Sequence, residues 1–185
     1  SSVRELREAR AIFERVRNEL ARKQVPMAET VELGIMIEVP SAAIIADHLA
    51  SEVDFLSIGT NDLVQYLLAV DRGNERIAYL YKELHPAVLR LIRNVIEAAH
   101  RKGIWVGMCG EMGGNPLATL ILVGLGIDEL SVSPTVLPEI KKIIRAIGYT
   151  ETQNIARRML KKDSAEQIEK VMQRYMRWKF KDLVF

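Results

Sequence analysis

Cysteine is almost absent from this sequence. Cys109 is the single one in 185 residues, so no disulfide forms within the chain, and a reducing, cytoplasmic setting is the simplest expectation. Charge of one sign is lacking too. The 26 Lys and Arg set against 24 Asp and Glu leave a net +2, which excludes a polybasic arm or an acidic tail, and with them nucleic acid as the main partner. No apolar run reaches the roughly 18 residues of a membrane span, so no membrane insertion is expected. The opening Ser1-Ser2-Val3-Arg4-Glu5 does not have the pattern of a signal peptide. It also lacks an initiator Met, as expected of a processed or cut chain. No Gly-rich dinucleotide fingerprint follows the first strand-like run, which argues against a Rossmann domain. Low-complexity segments and a fixed repeat period are missing as well.

What is present suffices for a packed core. Apolar residues make up 49% and charged residues 27%, the balance of a folded domain. A chain of 185 residues is one domain, or part of a larger one. Val3, Leu6, Ile12, Phe13, Val16 and Leu20 recur at helical spacing and predict an amphipathic helix over 3–23. Four short apolar runs, 32–38, 55–58, 104–108 and 129–132, read as buried strands of the parallel kind. Helices are expected between them: 40–50 opened by Pro40, His85-Pro86 to about 102 stopped by Gly103, 116–124, and 136–147. The stretch 63–83 reads as less regular, with a charged loop at 71–75. Two polar helices follow, about 150–161 and 164–179, the second with Ser164 and Gln167 placed for a capping box. This α-(βα)4-αα order predicts an α/β fold with a parallel sheet and right-handed crossovers.

Polar residues gather at one place in that pattern. Glu38 ends the first strand, Asn61 and Asp62 follow the second, Cys109 follows the third, and Ser131 and Ser133 stand at the fourth. Barrels and open α/β sheets both bind ligands at the C-terminal ends of their strands. Glu38 and Asp62 come from adjacent strand ends, and two hard oxygen donors suit Mg²⁺. Each carboxylate would equally well cap the helix that follows it. Cys109 lies in Gly107-Met108-Cys109-Gly110-Glu111-Met112-Gly113-Gly114, where glycines allow a ligand to come close. Its thiol reads either as a general acid or nucleophile or as a small buried hydrophobe. Arg72 either clamps a carboxylate or phosphate or is a solvated surface group. His48, His85 and His100 have no metal-ligand spacing and read as structural. Trp105 reads as core, and Trp178 as packing the last helix or an interface.

Three segments carry a resemblance. Gly34-Ile35-Met36-Ile37-Glu38-Val39-Pro40-Ser41-Ala42-Ala43, Phe55-Leu56-Ser57-Ile58-Gly59-Thr60-Asn61-Asp62-Leu63 and Gly107-Met108-Cys109-Gly110-Glu111 occur in that order. They resemble the phosphoenolpyruvate-utilising barrel shared by Enzyme I of the bacterial sugar phosphotransferase system, pyruvate phosphate dikinase and phosphoenolpyruvate synthase. The segment 65–75 and the run His85-Pro86-Ala87-Val88-Leu89 are more similar to Enzyme I than to the dikinases. The likeness is dense over about 32–145 and loose at the ends.

The resemblance implies a set of roles. Glu38 and Asp62 would ligate magnesium (Mg²⁺), and Asn61 and Arg72 would contact the substrate phosphate beside Asp62. Cys109 would protonate the enolate carbon as pyruvate forms. The phosphoryl group would pass to a histidine on a separate N-terminal phosphohistidine domain, with a histidine phosphocarrier protein as the further partner in sugar transport. The family domain also dimerises, so a homodimer is expected. The family barrel has eight strands, and this sequence supplies four. The expected fold is therefore the C-terminal half, about four βα units, of a TIM-type (β/α)8 barrel with extra C-terminal helices. Residues 1–185 are read as one partial barrel domain, with 150–185 as its helical extension. The other readings are a dikinase or synthase fragment, a metal-dependent enolate aldolase, and a non-catalytic dimerisation half-barrel. The Cys109 segment argues against the aldolase, which needs no such proton donor.

Overall fold

A computed structural model describes residues 1–181 of the chain. Strands β1 (Gly34–Ile37), β2 (Phe55–Gly59), β3 (Trp105–Cys109) and β4 (Glu129–Leu130) form one parallel sheet in sequence order. Helix α1 (Val3–Arg22) precedes the sheet. Helices α2 (Pro40–Ile44) and α3 (Ala46–Leu49) join β1 to β2. Helices α4 (Thr60–Leu68) and α5 (Pro86–His100) join β2 to β3, and α6 (Pro116–Leu125) joins β3 to β4. Helices α7 (Leu137–Arg145), α8 (Tyr149–Met159) and α9 (Ala165–Lys179) follow. This is an α/β fold with a four-stranded parallel sheet, consistent with part of a barrel.

Local chemistry sets the boundaries. Ser2 and Glu5 make a reciprocal capping box that starts α1. His85 accepts the Ala87 N–H ahead of α5, with Pro86 as its first residue. Asn115 does the same for α6, again followed by proline. Gly126, at φ +96°, closes α6 in a left-handed turn that side chains rarely adopt. Ser164 Oγ accepts the Gln167 N–H and caps α9.

Three element boundaries need correction. The stretch 63–83 is not irregular throughout, because α4 leaves β2 without a linker. Its first turn is the polar Thr60-Asn61-Asp62, which reads in sequence as the close of a strand, while Leu63 and Val64 bury behind it. The helix expected over 40–50 is two short ones, broken at Ile45 (φ −100°, ψ 23°). The fourth strand keeps only two residues, paired with β3, although the Ser131 N–H still donates to Met108 O at 2.9 Å. The two terminal helices lie close to their expected ranges, and the last four positions of the 150–185 segment lie outside the described residues.

Strand alternation divides the sheet into two faces. Ile37, Leu56, Ile58, Val106 and Met108 are buried in the core with the helices. The intervening residues form rows on the other face: Gly34, Phe55 and Trp105, then Met36, Ser57, Gly107 and Glu129. Here Met36 and Glu129 are exposed, and Ser57 and Cys109 are half-buried. Trp105 is thus half-buried rather than core, stacked on Phe55 with centroids 4.4 Å apart. Gly34 makes room for that stack, as a Cβ there would lie 2.2 Å from the Phe55 ring.

Helices α8 and α9 share the same core through Ile155, Ala156, Met159, Ile168, Met172 and Met176. Gly124 on α6 permits this close crossing. A Cβ at that position would lie 2.0 Å from the Thr152 carbonyl oxygen of α8. Trp178 on α9 is 66% exposed and tilts against Tyr175 at 5.8 Å.

Candidate active site at the strand ends

The parallel register brings the ends of β2 and β3 side by side, with Gly59 opposite Cys109. From there the two chains are tied together. Thr60, fully buried, donates its hydroxyl to the Cys109 carbonyl at 3.2 Å. The Glu111 N–H donates to Asn61 Oδ1 at 2.9 Å. Gly110 sits between them at φ +104°, and a Cβ there would fall 2.5 Å from Thr60 Oγ1 and 2.9 Å from Asn61 Oδ1. Only glycine satisfies both the dihedral and the space. Asn61, Cys109, Glu111, Ser131 and Ser133 then line an open cleft of about 460 Å³.

The thiol of Cys109 has two neighbours. Ser57 Oγ donates toward Sγ at 3.7 Å, and Sγ donates toward the Ile58 carbonyl at 3.8 Å. Half-buried and lining the cleft, Cys109 is not the fully buried hydrophobe of the alternative reading.

Glu38 stands past β1, half-buried. A Cβ on Gly59 would come 3.0 Å from Glu38 Cβ and 3.2 Å from its Oε2, so the glycine leaves room for the carboxylate over the end of β2. Asp62 lies in the first turn of α4. Neither acts as a helix cap: α2 is preceded by Val39 and α4 by Gly59, both without a side-chain capping bond. Among the described residues neither carboxylate has a hydrogen-bond or ion-pair partner. Hard oxygen donors of this kind could hold Mg²⁺. No group of three or more His, Cys, Asp or Glu that could hold a metal gathers among the described residues. Any metal here would need further oxygens from substrate or water.

The loop after α4 reaches back to the same segments. Tyr81 donates its hydroxyl to the Asn61 carbonyl at 3.2 Å. Burial, and then the charge of Glu83, push its phenol up to about 12, against the pull of Arg72. Glu111 and Asp62 add to the same effect. Glu83 accepts from Asn115 Nδ2 at 3.0 Å, and burial raises its carboxyl above the usual range. Arg72 is exposed on this loop, with Nη1 3.8 Å from Glu111 Oε1.

The structure thus gathers Asn61 and Cys109 in one cleft, with Arg72 reaching it through Glu111, and sets Glu38 and Asp62 at adjacent strand ends. Thr60, Ser57, Tyr81 and Glu111 carry no separate signal in the sequence, although all but Tyr81 lie inside the motif segments. The histidines are elsewhere. His48 is exposed on α3, His85 caps α5, and His100 pairs with Asp128 at 2.8 Å.

A parallel α/β sheet whose polar groups converge at its strand C-termini defines a class of ligand-binding domains, and the family comparison narrows it. Residues 1–149 match the family model described as PEP-utilising enzyme, PEP-binding domain, and the chain belongs to that family. It is 47% identical over 175 residues to the phosphoenolpyruvate-protein phosphotransferase of Haemophilus influenzae, an alignment covering 95% of this chain and 30% of that protein. The Enterococcus faecalis protein of the same name is 44% identical over 176 residues, covering 95% and 31%. That of Geobacillus stearothermophilus is 48% identical over 170 residues, covering 92% and 29%. The chain therefore spans about 30% of the length of these relatives. Among the described residues no helix is long and apolar enough to cross a membrane.

Proposed function

We propose that this chain is the phosphoenolpyruvate-binding, catalytic part of a phosphoenolpyruvate–protein phosphotransferase, the enzyme that opens sugar phosphotransfer. The observation that carries the reading is the pair of bonds joining the two motif segments, Thr60 to Cys109 O and Glu111 N to Asn61. They hold a phosphate-type ligand group and a proton donor in one cleft. The bare, partly polar sheet face supports a TIM-type barrel completed by four more strands, since parallel sheets are ordinarily covered on both faces. On this reading α8 and α9 are the helical extension of that barrel.

Each residue has a task in the reaction. Asn61 Oδ1 is occupied by the Glu111 N–H, which leaves Nδ2 to donate to the phosphate. Arg72 supplies a guanidinium fork for the same group. When the phosphoryl group leaves, the P–O bond breaks and its electron pair stays on the enolate; a P–N bond forms to the acceptor histidine. Cys109 then gives its S–H proton to the enolate carbon, yielding pyruvate and a thiolate that water reprotonates. Ser57, donating toward Sγ, suits that thiolate. Glu38 and Asp62 would hold Mg²⁺, which when bound supplies charge neutralisation at the phosphate and enolate oxygens.

On this reading the acceptor histidine lies on a separate domain, in keeping with a cleft that none of His48, His85 and His100 lines. A phosphohistidine domain and a histidine phosphocarrier protein are the partners this reading requires, in a cytoplasmic homodimer. Titration calorimetry of the chain with phosphoenolpyruvate, with and without Mg²⁺, tests the site. Metal-dependent binding that is lost in Asp62→Ala is the expected result. Metal-independent binding of equal affinity in both forms would remove the ligand roles of Asp62 and Glu38.

A further inference from the structure

Glu111 has no task in that reaction, yet its place is closely specified. Its N–H is fixed on Asn61 Oδ1, and Gly110 before it adopts φ +104°. Its carboxylate meets Arg72, Nη1 to Oε1 3.8 Å. Arg72 is set from the loop after α4. Its N–H donates to Gln65 Oε1 at 3.1 Å, and Asp71 Oδ1 accepts the Gly73 N–H at 2.8 Å to close the next turn. Two loops far apart in sequence thus deliver a carboxylate to the guanidinium.

A negative charge beside Asn61 and Arg72 opposes an anionic ligand in the same place. The side chains of Arg72 and Glu111 are 42% and 77% exposed. An exposed pair of this kind is weak. It is enough to bias the guanidinium toward the cleft and too little to resist a dianion that offers a two-oxygen fork. A monoanionic carboxylate matches Glu111 in charge and gains no such advantage.

We propose that Glu111 is an internal stand-in for the substrate phosphate on Arg72, displaced when phosphoenolpyruvate enters. It is a positioning residue that keeps Arg72 aimed at the cleft while the cleft is empty. The exchange favours a dianionic phosphate ester over the monoanionic product pyruvate. This rests on the reading of Arg72 as a phosphate ligand.

Two measurements on Glu111→Gln test it. In the protein at its native length, the KM for phosphoenolpyruvate falls about two- to fivefold while kcat does not rise, the size expected on removing an exposed competing ion pair. A KM that rises would overturn the proposal and make Glu111 a simple support for Arg72. The second measurement needs no turnover: phenylglyoxal modification of Arg72 in the 185-residue chain, followed by peptide mass spectrometry. The variant reacts faster, and inorganic phosphate protects Arg72 at lower concentration than in the parent. Equal modification rates would show that the pair does not form, whatever the KM does. Faster modification with no protection by phosphate in either form would instead remove Arg72 as an anion ligand, and with it both the displacement and its part in the proposed reaction.

Discussion

Ile37, Leu56, Ile58 and Val106 show no exposed surface, whereas Met36 and Ser57, each next to one of these, and Cys109, three residues past Val106, line an open face and a cleft. The first set is β-branched and aliphatic and packs against helices. The second mixes a methionine, a serine and a thiol, with Gly107 and Glu129 in the row of Met36 and Ser57. Each strand therefore serves two purposes, separated by the two-residue period of the pleat. Substitutions on one face should move stability with little effect on chemistry, and on the other the reverse. The boundary of that rule is where the comparison can be broken.

Cys109→Ala carries the largest expected effect. On the proposed role of Cys109 as proton donor, its loss lowers pyruvate formation about 10²- to 10⁴-fold, while the melting temperature stays close to that of the parent and phosphoenolpyruvate still binds. Steady-state kinetics beside a thermal melt check both halves. Unchanged turnover would end the proton-donor role. Ile58→Ala, one residue before Gly59 on the same strand, should do the opposite. A fully buried isoleucine truncated in a packed core costs about 2–5 kcal/mol, read by urea unfolding. If Ile58→Ala folds normally and loses turnover instead, the division of labour between the faces is wrong.

Much of this arrangement can be read in the sequence, and the reasons differ by region. The strands and the crossover helices α5 and α6 announce themselves because proline, a capping side chain and a following glycine mark their ends. The placement of Glu38, Asn61, Asp62 and Cys109 at strand ends follows from the same marks. Helix α4 does not, because Thr60-Asn61-Asp62 has the chemistry of a turn and becomes helical only once Leu63 and Val64 bury. The tie between Thr60 and Cys109 and the meeting of Arg72 with Glu111 depend on strand register, which one sequence does not encode locally. Helical caps for Glu38 and Asp62 are the sensible local reading, and the backbone assigns those positions to Val39 and Gly59 instead.

Gly124→Ala extends the comparison beyond the sheet. Exchanging glycine for alanine inside a helix gains about 1 kcal/mol of propensity. Here the new methyl would meet the Thr152 backbone, which cannot swing aside as a flexible side chain would. The net expectation is a loss of about 1–3 kcal/mol from overpacking, with α8 pushed off α6. A stabilised variant would mean that α8 and α9 are loosely attached, and that the shared core with the sheet contributes little.

Glu83 belongs to neither face, and its substitution carries the smallest effect. It is half-buried beside Tyr81 and Asn115, and burial raises its carboxyl above the ordinary range, with the charge of Glu111 adding to the shift. A folded carboxyl that holds its proton more tightly than the unfolded chain makes stability fall as pH rises through the interval between the two values. Above that interval the folded protein carries a partly buried charge; below it the group is neutral in both states. Glu83→Gln keeps an oxygen for Asn115 Nδ2 and removes the charge. The variant should match the parent in strongly acidic buffer and melt slightly higher at neutral pH, as thermal unfolding across a pH series would show. A gain of equal size at both ends would mean that the charge is irrelevant and that packing alone decides. A loss at neutral pH would mean that the ionised Glu83 is held by a partner, and would place it with the chemistry of the cleft.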